Sequence, residues 1–556
     1  MKFKGINEDP TISRIHNIQC YLRTMLIRRE ITEPEKKAMW PKAAQLGRGY
    51  GLPKTHKQFE QIPPFRPIID TTSTPYFGIG KFLSNFLRPL TINDHIVSDT
   101  FQAVERIRNI PPEIFSSGYK YVSFDVESLF TSVPLKKTIE IILKKIYTEK
   151  VISTTIKKRT LKKLLLDCCT KNAFSFNNKL YEQTDGVSMG SSLGPVMANI
   201  IMAELEREII EPLIADGTLK FYTRYVDDTL VLMKHNDIQK VLNKLNSYHK
   251  NLKFTVDKFE DDNVHFLDLR IMDNKTDVYC KDTHSGQYTH FDSYTPWSLK
   301  TSWVRALYTR AEKICSDDTL FSKQVSKISK YLSWNGFPRH VRNSILHRLK
   351  RKTSRVTTDE TKTDTVEIHF RVPYAGIKGE QLIKSCVRRM KRFVKRNVKF
   401  VIMYDTKKLS FFCNTKDRVP GLQRHNLVYK ITCPGCGRNY VGKTDVCLET
   451  RLKQHGSKSD QPMYQHFMQC KHFIELFKFY NNGYALDSVD QNSHGDVTDV
   501  PSAEFMVNAT LTNYEIVDFN KNWSQLLFLE AYYIKQLDPS LNRGLKASRD
   551  LALFAL

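Results

Sequence analysis

The spacing of apolar and polar residues changes several times along the chain. Between Ile12 and Ile31 the apolar residues recur at helical spacing, which predicts that residues 1–45 are mostly helical. From residue 120 to residue 273, short β-branched and aromatic runs alternate with helical segments, and this alternation predicts a mixed sheet with helices on one face. Residues 296–351 return to a helical and basic pattern. We therefore expect a multidomain α+β protein.

Changes in composition divide the chain into five segments. The stretch TTDETKTDT has almost no apolar residues and predicts a linker. The segments are residues 1–119, 120–275, 276–355, 356–424 and 425–556, and no internal repeat is found. Within them, helices are predicted at residues 80–87, 135–147, 197–210, 238–251, 380–397 and 526–537.

The excess of positive charge is the strongest property of the composition. The 556 residues include 85 Lys and Arg against 59 Asp and Glu, a net charge of +26. This excess predicts binding to nucleic acid, because neutralising phosphates releases condensed counterions. An anionic membrane surface would also attract the charge, but no lipidation signal or compact basic amphipathic segment favours it. We expect a nucleic-acid partner and no membrane.

The same sequence lacks the signals of secretion. No apolar run approaches the roughly 20 residues that span a bilayer, and MKFKGINEDP has no apolar core of a signal peptide. The 11 cysteines are sparse and mostly isolated, which is not typical of a disulfide framework. These features predict a reducing compartment.

The stretch FYTRYVDDTLVL places Asp227 and Asp228 between two strand-forming runs. Taken alone, this pattern is typical of a solvated hairpin turn. A metal site needs a further acidic group, and Asp125 in VSFDVESLF ends an apolar strand about a hundred residues upstream. Three carboxylates on the rim of one sheet would suit Mg²⁺, which prefers oxygen ligands.

A glycine-rich segment lies between these acidic motifs. In QTDGVSMGSSLGPVMANI, Gly186, Gly190 and Gly194 allow close backbone approach to a ligand, and a helix follows. An ordinary loop and helix cap would show the same residues. Its position between the acidic motifs favours a substrate-binding loop.

Together, Asp125, QTDGVSMGSSLGP and YVDD resemble motifs A, B and C of a reverse transcriptase palm. More narrowly, YGLPKTHK, RPII, FTVD with VHFLDLRI, and LSWNGFP resemble the Penelope-like retroelement proteins over nearly the whole chain. The resemblance implies a right-hand polymerase, with an N-terminal and fingers region (1–119), a palm (120–275), a helical thumb (276–355) and a basic connector (356–424). Motif B departs from the family at SSLG, where a proline usually follows the first serine.

The resemblance also implies roles for individual residues. Asp125, Asp227 and Asp228 would hold Mg²⁺ or Mn²⁺ and catalyse nucleotidyl transfer. Phe130 would form the gate against the ribose 2′-hydroxyl. The remaining substrate contacts would come from Arg66 at the triphosphate, Lys253 near the leaving group, and Gln183 and Gly190 in the template and nucleotide pocket.

The last segment carries a second candidate site. Tyrosines stand in two short strands, an Arg and a His lie one helical turn apart, and a helix supplies a glutamate; core tyrosines and a solvated glutamate are the alternative. The combination is similar to a GIY-YIG endonuclease, in which Leu427 replaces the first glycine. The resemblance implies catalytic roles for Tyr429, Tyr440, Arg451 and His455, a metal-binding role for Glu530 and a supporting role for Asn542.

Cysteines between the two signatures suggest a structural metal. Cys433 and Cys436 have zinc-knuckle spacing, and His466 and His472 in HFMQCKH would complete a tetrahedral Zn²⁺ site, with Cys470 as a substitute ligand. A redox-active pair or an ordinary turn is the alternative. Penelope-like nucleases carry such a cysteine pair.

The resulting hypothesis is a retroelement RNA-directed DNA polymerase whose endonuclease nicks target DNA to prime reverse transcription. Its partners would be an RNA template, a DNA target and primer, and deoxynucleoside triphosphates. It would be synthesised in the cytoplasm and act in the nucleus, with HRLKRKTSR as a weak import signal. The alternatives are a noncatalytic RNA- or DNA-binding relic of such an element, suggested by the short N-terminal segment, and a telomere-maintaining polymerase.

Overall fold

The structure is a computed structural model of the chain. It describes residues 3–41, 44–54, 59–256, 263–273, 275–353, 366–394, 398–405, 416–484, 500–520 and 522–542. The predicted linker TTDETKTDT, the THK of YGLPKTHK and the last residue of FTVD lie outside the described residues.

The strands within the described residues are β1 (Phe3–Ile6), β2 (Gly47–Pro53), β3 (Phe65–Asp70), β4 (Tyr119–Val126), β5 (Ala173–Phe176), β6 (Lys179–Gln183), β7 (Leu219–Tyr225), β8 (Asp228–Lys234), β9 (Phe254–Val256), β10 (Val264–Phe266), β11 (Leu269–Met272), β12 (Lys275–Val278), β13 (Val366–Pro373), β14 (Val398–Asp405), β15 (Leu427–Thr432), β16 (Asn439–Thr444) and β17 (Tyr514–Phe519).

The α-helices are α1 (Thr11–Ile27), α2 (Glu33–Met39), α3 (Phe77–Leu87), α4 (Thr100–Arg108), α5 (Glu113–Ser116), α6 (Leu129–Ser132), α7 (Leu135–Tyr147), α8 (Lys158–Thr170), α9 (Gly194–Leu205), α10 (Glu211–Ala215), α11 (Ile238–Ser247), α12 (Trp297–Ile314), α13 (Asp318–Trp334), α14 (Arg339–Thr353), α15 (Gly376–Met390), α16 (Leu448–Ser457), α17 (Pro462–Gln469), α18 (Lys471–Tyr484), α19 (Ala503–Thr512) and α20 (Trp523–Leu537). A π-helical turn, Glu206–Ile210, joins α9 to α10, and short 3₁₀ turns lie at Arg88–Thr91, His235–Asp237 and Gly421–Gln423.

The central sheet has the order β7-β8-β4-β9, and all of its neighbouring strands are antiparallel. The prediction of one mixed sheet across residues 120–273 was therefore wrong. The strands of this stretch divide among three sheets, because β5 and β6 form a hairpin that joins the N-terminal strands, while β10 and β11 pair with β12.

The N-terminal sheet has the order β1-β6-β5-β2-β3. Its strands β5 and β6 come from residues 173–183, inside the segment assigned to the palm. Likewise, the expected boundary at residue 275 falls at the first residue of β12. Sequence order alone does not show which sheet each strand enters, because hydrogen bonding between distant strands decides it.

Both faces of the central sheet are covered, as alternation along its strands requires. On β8, Val231 and Met233 belong to the large core formed with α1, α3, α7, α8 and α9, whereas Leu230 and Leu232 belong to a second core. That second core includes residues of α4, β10–β12 and α12. The central strands are thus held rigidly, and their ends provide a stable base for functional groups.

The remaining segments form smaller units. Strands β13 and β14 are parallel and are connected through α15, which is shorter than the predicted helix at residues 380–397. The last segment has a sheet of order β16-β15-β17, with α16–α19 contributing to one core and α20 to another. Among the described residues, no helix combines the length and apolar character needed to cross a membrane.

Candidate active sites

The first candidate site lies at the end of the β7–β8 hairpin. Tyr225 pairs with Asp228, so Val226 and Asp227 form a two-residue turn. Val226 has φ +56°, a left-handed conformation that is unusual for a β-branched residue and costs on the order of 1–3 kcal/mol. Such strain persists only where the surroundings hold it, so the turn is fixed by its neighbours.

Strand β4 brings the third predicted carboxylate to the same edge. Phe124 lies opposite Thr229 in the β4–β8 ladder, and the next residue on each side is Asp125 and Asp228. On its other side, Asp125 lies opposite Thr255 of β9. Asp125, Asp227 and Asp228 are all half-buried. The fold therefore brings together the acidic residues that the sequence placed a hundred positions apart.

The glycine-rich loop is docked against the end of β3. The backbone N–H of Ile69 in β3 donates to the Met189 carbonyl at 2.9 Å, and Thr71 Oγ1 donates to the Gly190 carbonyl at 2.9 Å. Gly190 has φ +110°, and a Cβ there would collide with the Ile69 carbonyl. A glycine is required for this close approach.

Two predicted substrate residues have specific neighbours in this loop. Phe130 is half-buried, its carbonyl accepts from the Val187 N–H at 2.8 Å, and its ring lies beside Gly194 at the start of α9. Gln183 is 1% exposed; its amide donates to the Asp185 carbonyl at 2.9 Å and its oxygen accepts from Ser188 Oγ. Gln183 thus holds the loop in shape instead of presenting its side chain to a pocket, contrary to the expected contact.

The two predicted cationic contacts are exposed. Arg66 lies on β3, three residues before Ile69, which binds the glycine-rich loop. Lys253 precedes β9, and its carbonyl accepts from the N–H of Glu127 at 2.9 Å. Glu127 lies two residues after Asp125. Both side chains are exposed, which gives a phosphate group access to them.

The second candidate site lies in the C-terminal module. Arg451 Nε donates to the Tyr429 hydroxyl at 3.1 Å, and that hydroxyl lies 2.8 Å from His455 Nε2. Burial, followed by the charge of Arg451, lowers the pKa of His455 to about 3, while burial and then the neighbouring Tyr440 raise the pKa of Tyr429. The hydroxyl oxygen therefore accepts from Arg451 and is hydrogen-bonded to a neutral imidazole.

Glycine and asparagine residues support this cluster. A Cβ on Gly442 would meet the Tyr429 hydroxyl and the Tyr440 ring, so the glycine leaves room for both tyrosines. Asn542 accepts from the Val441 N–H at 2.9 Å and donates to the Val441 carbonyl at 2.7 Å. The predicted supporting position of Asn542 thus has a structural basis, since it fixes the backbone of β16.

Glu530 is hydrogen-bonded to Lys443. Its Oε1 accepts from the Lys443 N–H at 3.0 Å, and its Oε2 contacts Lys443 Nζ at 2.5 Å. The two side chains are 20% and 19% exposed. The carboxylate suits a divalent cation chemically, but a cation bound at Oε2 would displace the lysine amine.

Four cysteine and histidine side chains converge beside the second site. The potential ligand atoms of Cys433, Cys436, His466 and Cys470 all lie within 4.8 Å of one another. His472, named from the sequence as the fourth ligand, is exposed and outside this cluster; Cys470 takes its place. The correction arises because residue 470 directly follows α17 and is buried, whereas residue 472 lies in the first turn of α18 and is exposed.

A known protein family matches the part of the chain that contains the first site. The family described as "Reverse transcriptase (RNA-dependent DNA polymerase)" matches residues 62–267, which include Arg66, the three carboxylates and the glycine-rich loop. The chain contains a reverse transcriptase domain. A second family, "Animal helix-turn-helix domain", matches residues 287–347, which cover α12, α13 and part of α14. No curated protein matched the chain.

Solved polymerase structures resemble the chain at low sequence identity. Telomerase from Candida albicans, in complex with a TWJ fragment of telomeric RNA, is 10% identical with a TM-score of 0.40, over 58% of this chain and 61% of that chain. The Sicinivirus 3Dpol RNA-dependent RNA polymerase is 12% identical with a TM-score of 0.38, over 64% of this chain and 74% of that chain. This chain thus spans less than two thirds of the Candida albicans telomerase.

Sequence reasoning missed one part of the reverse transcriptase domain. Arg224 and Glu206 form an ion pair in which both side chains are 0% exposed. A charged residue inside the strand-forming run FYTRYV was the available signal, since an arginine at an inward-facing position must find a partner. Its partner lies 18 positions earlier, beyond any local pattern.

Proposed function

We propose that this protein is a retroelement RNA-directed DNA polymerase of the Penelope-like type, whose C-terminal module nicks target DNA to prime reverse transcription. The proposal includes an RNA template, a DNA target and primer, and deoxynucleoside triphosphates as partners. It rests on one observation above all: Asp125 and the Asp227–Asp228 turn occupy the same edge of the central sheet.

The carboxylate set suits the metal that this reaction needs. Asp125, Asp227 and Asp228 supply only oxygen donors, as Mg²⁺ and Mn²⁺ prefer. When bound, two such ions would activate the primer hydroxyl and neutralise the leaving pyrophosphate. The protein's own contribution is to hold the three carboxylates on paired strands, so that little rearrangement is needed at the moment of reaction.

Other residues of the domain would orient the nucleotide. Phe130, held against Gly194, would restrict the space at the ribose and favour deoxynucleotides. The exposed Arg66 and Lys253 would bind triphosphate oxygens as cations. Gly190, through its packing on β3, would link the position of this loop to that of Arg66 on the same strand.

Primer extension on an RNA template tests the polymerase. Asp227→Ala should reduce synthesis about a thousandfold or more, since several kcal/mol of charge stabilisation would be lost. Asp216→Ala is the matched control and should retain synthesis. Asp216 lies shortly before β7, at the end of the hairpin opposite to the turn. Undiminished extension by Asp227→Ala would reject the assignment, and no extension by the unsubstituted protein would favour the noncatalytic alternative.

The nuclease proposal rests on the Tyr429, Arg451 and His455 chain of contacts. In this proposal, the Tyr429 hydroxyl, held by Arg451 and the neutral His455, orients a water molecule that attacks the phosphate. The new P–O bond replaces the bond from phosphorus to the 3′-oxygen, the proton of the water passes to bulk solvent, and Arg451 stabilises the negative charge on the phosphate. Tyr440 contributes to the same pocket, and Asn542 fixes the strand that carries it. Glu530 would hold one divalent cation after Lys443 Nζ has moved.

Plasmid nicking tests the nuclease separately from synthesis. Glu530→Ala should abolish nicking while primer extension on a pre-nicked substrate continues. Glu515→Ala is the control: Glu515 is exposed on β17 and lies 3.4 Å from Lys430, so the variant removes another carboxylate of the same module. Equal nicking by Glu530→Ala and the control would exclude the metal role of Glu530.

A structural Zn²⁺ completes the proposal for the C-terminal module. Two or more thiolates with an imidazole form a tetrahedral donor set typical of zinc. Burial, followed by the charge of Arg438, lowers the pKa of His466, which keeps its imidazole neutral as a metal ligand must be. We also propose that the protein acts in the nucleus, where its DNA target lies.

A further inference from the structure

A buried polar cluster lies directly beneath the carboxylate turn. Arg224 Nε donates to Glu206 Oε1 at 2.5 Å, and Arg224 Nη2 donates to Glu206 Oε2 at 3.3 Å. Glu206 also accepts from the Tyr222 hydroxyl at 3.0 Å and from Asn93 Nδ2 at 2.6 Å. The carboxylate is thus fully hydrogen-bonded, as a buried charge requires.

The other end of the guanidinium group reaches the turn itself. Arg224 Nη1 donates to the Val226 carbonyl at 2.9 Å and to Asn199 Oδ1 at 3.0 Å. The Val226 carbonyl belongs to the peptide group whose nitrogen is that of Asp227. The contact therefore fixes the plane of the peptide that precedes the first carboxylate, at the residue with the left-handed backbone.

The groups that orient Arg224 come from separate parts of the fold. Asn199 lies in α9, which follows the glycine-rich loop, and Glu206 begins the π-helical turn after α9. Pro212 lies just beyond this turn and cannot donate a backbone hydrogen bond, which favours the departure from α-helical geometry. The backbone of Arg224 is also held, since its N–H donates to His95 at 2.9 Å and its carbonyl accepts from Val97 at 3.0 Å.

We propose that Arg224 is a positioning residue for the metal-binding carboxylates. Its planar, five-donor guanidinium group joins Glu206, Asn199 and the Val226 carbonyl at once, and so sets the orientation of Asp227 and Asp228. A lysine has a single ammonium group and cannot hold these three acceptors in one plane. The proposal rests on the proposed polymerase function, because it assigns the carboxylates to metal binding.

A purely structural ion pair predicts a different outcome from a positioning role. If Arg224 only stabilises β7, its replacement should lower the unfolding temperature and leave the properties of the folded protein unchanged. If it positions the carboxylates, the folded variant should bind Mn²⁺ more weakly. The two roles are therefore separated by a binding measurement made on folded protein.

The test compares Arg224→Lys with Arg270→Lys in the full-length chain. Arg270 contacts Asp277 at 2.6 Å in the sheet formed by β10–β12, so its variant also weakens an arginine–carboxylate pair. All proteins carry Glu530→Ala, which removes the candidate divalent-cation ligand of the C-terminal module. Mn²⁺ binding is measured by electron paramagnetic resonance with a primer–template present, alongside thermal unfolding and primer extension.

Arg224→Lys should weaken Mn²⁺ binding about tenfold and reduce kcat about tenfold or more, because small displacements of a reacting constellation have large effects on rate. Arg270→Lys should change Mn²⁺ affinity and kcat by no more than about twofold each, as expected for a site without contacts to the turn. If Arg224→Lys lowers only the unfolding temperature, as Arg270→Lys does, the positioning role is rejected.

A second variant protects the test against misfolding. Arg224→Met with Glu206→Gln removes both charges together, and the glutamine keeps acceptor and donor capacity for Tyr222 and Asn93. The double variant should fold, and it should bind Mn²⁺ more weakly than the protein that keeps Arg224. Wild-type Mn²⁺ affinity in the folded double variant would overturn the inference. Absence of primer extension by the protein with Arg224 intact would instead reject the proposed function, while the Mn²⁺ comparison would still decide the role of Arg224.

Discussion

The two candidate active sites rest on ion pairs that differ in burial. Beneath the polymerase carboxylates, Arg224 and Glu206 are both 0% exposed. In the C-terminal module, Lys443 and Glu530 are 19% and 20% exposed, and the lysine has only its own side chain to move in order to reach water. The first pair is fixed within the scaffold, whereas the second can be opened by a competing cation.

The two ion pairs are chemically similar, but the difference in burial gives them different roles. A buried charge that loses its partner stays buried, so the Arg224–Glu206 pair must remain intact in every functional state. A partly exposed pair exchanges with water and ions at little cost. The polymerase site is therefore preorganised by protein contacts, while the C-terminal module leaves both Glu530 and its cysteine cluster suited to metal binding.

The largest effect is expected at the cysteine cluster of the C-terminal module. Cys470→Ser should remove the bound zinc and destabilise the module, because the metal would join β15 to α17. His472→Ala, two residues away and exposed, should retain the zinc. Zinc content measured by mass spectrometry checks this, and equal zinc in both variants would exclude Cys470 as a ligand.

The next largest effect compares the two ion pairs directly. Glu206→Ala should destabilise the protein by about 3–5 kcal/mol, because it leaves the Arg224 charge buried without its partner. Glu530→Ala should cost about 2 kcal/mol or less, since Lys443 Nζ can move into solvent and the Lys443 N–H loses one hydrogen bond. Thermal unfolding of both variants measures the difference. Similar shifts for the two would remove the distinction between a fixed and an opening pair.

Two glycines extend the comparison to the backbone. Gly190→Ala would place a Cβ against the Ile69 carbonyl and should reduce primer extension about tenfold or more. Gly118→Ala is the control, since Gly118 also has positive φ, +81°, but has open space around it. It should cost only about 1 kcal/mol of stability. Wild-type extension by Gly190→Ala would contradict the docked loop.

A further prediction concerns the pH dependence of stability at His455. Its folded pKa of about 3 lies below the ordinary value of 6.5, so the unfolded chain binds more protons between these values. Stability is therefore present above pH 6.5 and is lost as pH falls, by up to about 1.4 kcal/mol per pH unit. His455→Gln should show a flatter decline in unfolding temperature from pH 6.5 to 4. Identical slopes would mean that His455 does not contribute.

Local patterns predicted the elements better than their arrangement. Helix α7, Leu135–Tyr147, has the predicted bounds, because its apolar spacing is set by its own packing face. The strands β5 and β6 could not be assigned to the N-terminal sheet, because the pairing of Phe3 with Gln183 depends on residues 180 positions apart. Gln183 was predicted to contact substrate but is buried for the same reason: its surroundings come from the folded loop.

The sequence by itself determined which residues can carry the chemistry. The carboxylates of Asp125, Asp227 and Asp228 and the Cys433–Cys436 pair are recognisable from residue type and spacing along single strands and turns. Only the tertiary structure decided what surrounds them: Arg224 beneath the carboxylate turn, Lys443 on Glu530, and Cys470 instead of His472 in the metal cluster. The physical reason is that local geometry follows from neighbouring residues, whereas burial and hydrogen-bond partners depend on segments that meet only after folding.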